Sequence, residues 1–181
     1  LKDERGQVPL KAARDADVLY LSVIDYASGW REGAPSRTFI PELKKRWPNV
    51  TAIEVSDRTT PSEMELIREL AKRADAVVAS VFVRISSYSG RMDLSPAQVS
   101  LLESIAANPE KPFAAVLFGN PYTAMALQKL PALLVTYEQI DAMEAAAVRA
   151  LAGEIPIRGK LPITMPGLFP AGTGLERDAP Q

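Results

Sequence analysis

Five short apolar runs, spaced a helix apart, constrain this chain more than any other feature. They occupy residues 17–23, 50–55, 76–83, 113–118 and 132–136. Each is too short for a buried helix, is rich in β-branched or aromatic residues, and has few polar breaks, the pattern of a strand covered on both faces. The segments between them are long enough to cross over as helices. The expected fold class is therefore α/β, a three-layer sandwich around a mainly parallel sheet of five or six strands.

The intervening segments carry helical periodicity. Phe39, Ile40, Leu43 and Trp47 stripe one side of a helix expected over 35–46, and Met64, Ile67, Leu70 and Ala71 stripe another over 61–73. The second has a marked start: Thr59 or Thr60 can cap it, Pro61 suits its first turn, and Glu63 completes a capping box with Thr60. A third helix is expected over 96–106, capped by Ser95, and a shorter one after Asn120-Pro121. A last, Ala-rich helix over 139–151 should stop at Gly153, a residue suited to the left-handed conformation at helix ends. Residues 155–181 hold five of the 15 prolines and four of the ten glycines, so this tail should be extended or irregular. No repeat, charge block or low-complexity linker divides the chain, and residues 1–181 read as one domain.

Composition narrows the chemistry. The 21 Lys plus Arg nearly cancel the 22 Asp plus Glu, leaving a charge of -1 and no basic field for a phosphate backbone, so nucleic acid is not an expected partner. The chain has no His and no Cys, which removes imidazole acid/base chemistry, thiol nucleophiles and nearly every nitrogen- or sulfur-ligated metal site. Neither a cofactor nor a metal is expected. No apolar stretch is long enough to predict a transmembrane segment. The opening Leu1-Lys2-Asp3-Glu4-Arg5 reads as neither a signal peptide nor an initiation site, and is expected to lie mid-protein or after a processing point.

Three polar loops follow expected strands, at the edge where open α/β sheets bind ligands. The first, Asp25-Tyr26-Ala27-Ser28-Gly29-Trp30-Arg31-Glu32-Gly33, combines aromatics with charge; Tyr26 and Trp30 suit either sugar stacking or an interdomain face. The second runs from Arg84 to Asp93 through Ser86, Ser87, Tyr88, Ser89 and Arg91. Its donors suit sugar hydroxyls, making Arg84, Ser87, Arg91 and Asp93 the candidate substrate-binding residues; equally, an Arg can pair with Asp93 in a solvated loop. The third, Gly119-Asn120-Pro121-Tyr122, reads first as turn chemistry: Gly for a tight exit, Asn as cap, Pro in the first turn. Gly172-Thr173-Gly174 lacks the third Gly and the preceding strand of a dinucleotide fingerprint. The first loop has no Ser/Thr/Gly-rich phosphate turn of a flavin protein, and Asp25 lacks the companion acids of a phosphoacceptor receiver.

Three stretches together resemble the C-terminal domain of family three glycoside hydrolases. Leu1-Lys2-Asp3 with Val8-Pro9-Leu10 is similar to that domain's opening segment. Gly90-Arg91-Met92-Asp93-Leu94-Ser95-Pro96-Ala97-Gln98 resembles the loop and helix start that precede the strand leading into Phe118-Gly119-Asn120-Pro121-Tyr122. The most specific likeness is the run from Gly153 through Ile155-Pro156-Ile157-Arg158-Gly159-Lys160-Leu161-Pro162-Ile163-Thr164-Met165-Pro166, which is similar to the family's closing signature.

The resemblance implies a flavodoxin-like sandwich beside an amino-terminal (β/α)8 barrel of the same polypeptide, a barrel this chain does not include. In such retaining enzymes a barrel Asp is the nucleophile, and a second group protonates the leaving oxygen. Some members bring a Glu from the second domain; the β-N-acetylglucosaminidase-like branch uses a His-Asp pair on the barrel instead. The 84–93 loop contains no Glu, and the Phe169-Pro170-Ala171-Gly172-Thr173-Gly174-Leu175 tail resembles the N-acetylhexosaminidase side. No catalytic residue is therefore expected here, with Glu32 and Glu138 near strand ends as the remaining candidates. The expectation is an accessory domain meeting carbohydrate only through the complete enzyme, from a bacterial secreted or periplasmic parent. The alternative is an independent flavodoxin-like ligand-binding or regulatory module.

Overall fold

The computed structural model describes residues 2–25, 34–83 and 93–179. Six strands form one sheet: β1 (Lys2–Asp3), β2 (Val18–Ile24), β3 (Val50–Val55), β4 (Ala76–Val83), β5 (Phe113–Gly119) and β6 (Ala132–Val135), in the order β1-β6-β5-β4-β2-β3. All neighbours are parallel except β1, which runs antiparallel to β6. The five expected strands are present within one residue of their expected ends. The two-residue β1 carried no periodicity to reveal it.

Four helices cover the sheet: α1 (Phe39–Arg46), α2 (Pro61–Arg73), α3 (Pro96–Ala106) and α4 (Asp141–Leu151). Because side chains alternate along a strand, the sheet splits its apolar residues between two cores. Leu19, Leu21, Val23, Val77, Val81, Phe113 and Leu117 meet α2, α3 and the tail. Tyr20, Ile24, Val78, Phe82, Val116 and Phe118 meet α1 and α4. In the second core Phe82 stacks on Phe118 with centroids 4.8 Å apart, Phe118 meets Phe39 edge-on at 6.2 Å, and Phe39 stacks on Tyr20 at 5.0 Å. Each such large buried side chain contributes about 2–3 kcal/mol of transfer free energy.

The helix starts divide into two kinds. Thr60 accepts from the Glu63 N–H while Glu63 accepts from the Thr60 N–H, so α2 opens on the expected capping box. Ser95 and Gln98 do the same for α3. By contrast α1 begins at Phe39 rather than 35, because Ser36 takes a left-handed φ of 66° that no helix accommodates. The last helix begins two residues later than expected and ends as foreseen at Gly153, whose φ is 75°. The short helix after Asn120 is a 3-10 turn, Pro121–Met125.

The tail is irregular but attached. Met165 is buried in the first core, with Leu161, Leu168 and Phe169 packed beside it. Leu161 donates to Thr173 O at 2.8 Å, and Ile157 and Arg177 pair across a bridge. Among the described residues no helix is long and apolar enough to cross a membrane.

Candidate functional site

The chain adds β3 on one side of β2 and β4 on the other, so the strand order reverses between the parallel neighbours β2 and β4, the kind of switch point at which doubly wound sheets bind ligands. Register makes this concrete: Ile24 lies beside Phe82, Phe82 beside Phe118, and Val83 beside Gly119. The loops leaving β2, β4 and β5 therefore start side by side at one edge. Two of the three polar loops singled out in the sequence begin there and lie largely outside the described residues: Tyr26, Trp30 and Glu32 from the first, Arg84, Ser87 and Arg91 from the second.

The described rim is built by backbone constraints. Gly119 has φ 91°, and a Cβ there would come within 2.1 Å of Val83 O, so only glycine lets β5 leave the sheet so close to β4. The chain then turns sharply: Asn120 N–H donates to Val83 O at 3.1 Å, and Asn120 Oδ1 accepts from the Tyr122 N–H at 3.1 Å. That is the turn-and-cap reading of Gly119-Asn120-Pro121-Tyr122. It leaves Tyr122 exposed at the same strand-end edge.

Asp93, the one candidate substrate-binding residue within the described segments, is half-buried and accepts the Leu94 N–H at 2.8 Å. Burial holds its carboxyl above the ordinary range, opposed by the Leu94 N–H and by the nearby Thr123 hydroxyl. Thr123 is fully buried and its hydroxyl completes no hydrogen bond among the described residues, so the firm opposing contact is Leu94. Glu138 is exposed in the turn after β6, its backbone N–H donating to Thr136 O at 2.8 Å. At this edge Asp25, Asp93 and Glu138 stand on three different loops. Among the described residues no three acidic side chains gather closely enough to hold a metal ion.

Other carboxylates that sequence reasoning passed over do structural work. Glu144 of α4 is completely buried, and its oxygens accept the N–H groups of Ser36, Thr38 and Phe39 at 3.2, 2.9 and 2.7 Å. This is the N-terminal cap of α1, supplied from more than a hundred residues away. It holds the left-handed Ser36, whose hydroxyl meets Tyr20 at 2.6 Å and Ser22 at 2.7 Å. Burial pushes the Tyr20 phenol well above its ordinary pKa, with the Ser36 contact pulling the other way. Arg37 and Asp141 brace the same junction from outside with a bidentate pair. A signal was present in the sequence: Glu144 shares the stripe of Ala147, Val148 and Leu151, and a lone charge on an apolar helix face needs a partner.

Asp3 is a second case. Buried at the end of β1, it accepts the Gln7 and Val8 N–H groups at 2.7 and 3.2 Å and the Arg177 guanidinium at 3.3 Å. It ties the start of the chain to the tail. Gln98 is a third long-range tie, because besides its capping role it donates to Ile24 O at 2.7 Å and anchors α3 to the end of β2.

Residues 1–171 match the model of the glycosyl hydrolase family 3 C-terminal domain. The chain belongs to this family. Solved structures of family 3 enzymes share the fold. A β-N-acetylglucosaminidase from Paenibacillus sp. str. FPU-7 superposes with a TM-score of 0.65 at 22% identity, over 86% of this chain and 28% of its own. A β-glucoside phosphorylase gives 0.57 at 21% identity, over 84% of this chain and 27% of its own. An exo-β-xylosidase gives 0.60 at 16% identity, over 94% of this chain and 24% of its own. The family 3 domain described here thus spans about a quarter of the length of these enzymes. No individually curated protein matches its sequence.

Proposed function

We propose that this family 3 C-terminal domain is an accessory, non-catalytic partner of a (β/α)8 barrel in a retaining β-N-acetylglucosaminidase. The crevice between the loops leaving β2 and β4 lines the substrate entrance of that enzyme. Retaining hydrolysis in its usual form sets two carboxyl groups about 5 Å apart, one as nucleophile and one as acid/base, so a catalytic role for this domain would need a carboxylate free to face the sugar. The observation that carries the reading is how this domain uses its buried carboxylates. Asp3 is held by two backbone N–H groups and the Arg177 guanidinium, and Glu144 by three backbone N–H groups, so both are committed inside the fold rather than to a reacting sugar. The carboxylates at the strand-end edge, Asp25, Asp93 and Glu138, stand on three separate loops, an arrangement suited to contact rather than bond breaking: Asp93 as an acceptor for a hydroxyl, with Arg84, Ser87 and Arg91 as donors from the same loop. The N-acetylglucosaminide preference rests on the absence of a Glu in the 84–93 loop and on the Phe169–Leu175 tail, features that favour an acid/base group outside this domain.

A chromogenic β-N-acetylglucosaminide tests both parts. The isolated chain should give no turnover, whereas a polypeptide joining it to its barrel should hydrolyse that substrate in preference to the β-glucoside. Turnover by the isolated chain that disappears in Glu32→Gln or Glu138→Gln would overturn the accessory role. Preference of the joined polypeptide for the glucoside, abolished by either substitution, would overturn the assignment of the sugar.

A further inference from the structure

The two edges of the sheet differ. At the outer edge β3 exposes Thr51, Ala52 and Glu54, the polar finish expected where a sheet ends in solvent. At the other edge β1 covers only the first half of β6: Asp3 lies opposite Ala132 and Lys2 opposite Leu133, and there the described pairing stops. Beyond it β6 continues through Leu134 and Val135 with no strand alongside among the described residues.

Backbone parity identifies the open groups. Glu4 N–H donates to Pro131 O at 2.8 Å on the β1 side, and Thr136 N–H donates to Leu117 O at 2.9 Å on the β5 side. Because these groups alternate along a strand, residues 131, 133 and 135 turn toward β1 and residues 132, 134 and 136 toward β5. The Val135 N–H and C=O thus face the vacant lane. That lane is the floor of an apolar groove of about 930 Å³. Met143 and Ala146 of α4 wall one side; Leu161, Leu168 and Phe169 of the tail wall the other.

We propose that this groove is the docking site of one more strand, an extended segment of the same polypeptide that enters β1 from its amino-terminal side and pairs antiparallel with Leu134–Thr136. The register selects this occupant. Antiparallel pairing of Lys2 with Leu133 directs the chain before it past Leu134, and the residue immediately preceding Leu1 falls opposite Val135. Asp3 locks that direction, since its contacts with Gln7, Val8 and Arg177 fix the inner end of β1. Polypeptide is expected on that side, because the chain matches a C-terminal domain and covers 24–28% of the enzymes that share its fold. Walls on both faces also define the composition: a run of β-branched apolar residues, as in a central strand, rather than alternating polar and apolar ones. The inference is independent of which sugar the enzyme takes and stands or falls on register alone.

Three proteins test it: the present chain, the chain carrying Val-Ile-Val directly before Leu1, and the chain carrying Val-Ile-Pro there. Amide exchange at Val135, read by NMR, should slow at least ~10-fold with Val-Ile-Val, since a hydrogen-bonded strand amide exchanges only on local opening. Proline opposite Val135 keeps a C=O that could accept from the Val135 N–H, but it has no N–H to donate to Val135 O and its ring crowds the pairing lane, so the strand should dock less and much of that gain should be lost. Equal exchange at Val135 in all three monomers overturns the proposal. So does concentration-dependent protection of Val135 in the unextended chain, which would assign the lane to a second copy. An extended chain that associates while Val135 of its monomer stays unprotected also counts against it.

Discussion

The two helical layers of this domain solve the same problem in opposite ways. On one face α2 and α3 begin with capping boxes made from residues three apart in sequence, Thr60 with Glu63 and Ser95 with Gln98. On the other face α1 has no side-chain cap of its own and borrows the buried carboxylate of Glu144 from α4. A local cap is made as soon as its helix forms. A borrowed cap exists only when two helices are docked, so it couples α1, the left-handed Ser36 and α4 into one unit. That unit adjoins the segment that leads from the crevice edge of β2 into α1. The contrast teaches that α2 and α3 carry their starting signals in their own sequence, whereas α1 is positioned by a contact that exists only in the assembled fold.

The sharpest way to break the comparison is Glu144→Ala. It strands three enclosed N–H groups at once, and each unsatisfied group costs about 1–3 kcal/mol, so a loss of roughly 3 kcal/mol or more is expected in urea unfolding. A loss below about 1 kcal/mol would show that water replaces the carboxylate and that α1 needs no borrowed cap.

Gln98 sharpens the distinction, because it belongs to both kinds. Gln98→Ala removes half of a local box and also the bond to Ile24 O, whereas Glu63→Ala removes only the exposed half of a box. The first should cost about 2 kcal/mol and the second clearly less, because the Glu63 carboxyl stands in solvent. Equal costs in thermal unfolding would place the whole effect of Gln98 in its cap.

The smallest effect is a pH difference between the two boxes. The Thr60 N–H and hydroxyl hold the Glu63 carboxyl below its ordinary range. A depressed folded-state pKa contributes stability that is present above the unfolded value and lost as pH falls through the folded one. Protection of the Thr60 amide should therefore decline between about pH 5 and pH 3, the carboxylate range. The Ser95 amide, bonded to the neutral Gln98, should show no such step. Glu63→Gln should remove the step from Thr60 and leave Ser95 unchanged; a step that persists would assign it to another carboxylate.

Much of the fold was legible because its determinants are local. The apolar runs of β2, β4 and β5 mark buried strands wherever they occur, and Thr60-Pro61 and Ser95-Pro96 mark helix starts to the residue. The start of α1 was misplaced for the complementary reason: residues 35–38 continue a helical pattern, and only contact with Glu144 and Tyr20 forces Ser36 into the left-handed region. β3 reads like the other strands yet proves to be an exposed edge, since apolar content does not report a strand's neighbours. Of the candidate site, the sequence supplied the loops and the single carboxylate Asp93. Its near neighbour Thr123 carried no signal, because nothing in sequence brings the end of β5 beside the start of α3.

The sequence by itself determined which segments become strands and helices, where α2, α3 and α4 are punctuated, and, through its closing signature, the family. Tertiary structure alone decided the strand order that puts its switch point between β2 and β4, the burial of Glu144 and Asp3, and the stretch of β6 that no strand flanks among the described residues. The physical reason is range. Periodicity and capping are set by neighbours within a few bonds, whereas a buried charge or an unpaired strand edge is defined by what the rest of the chain brings to it.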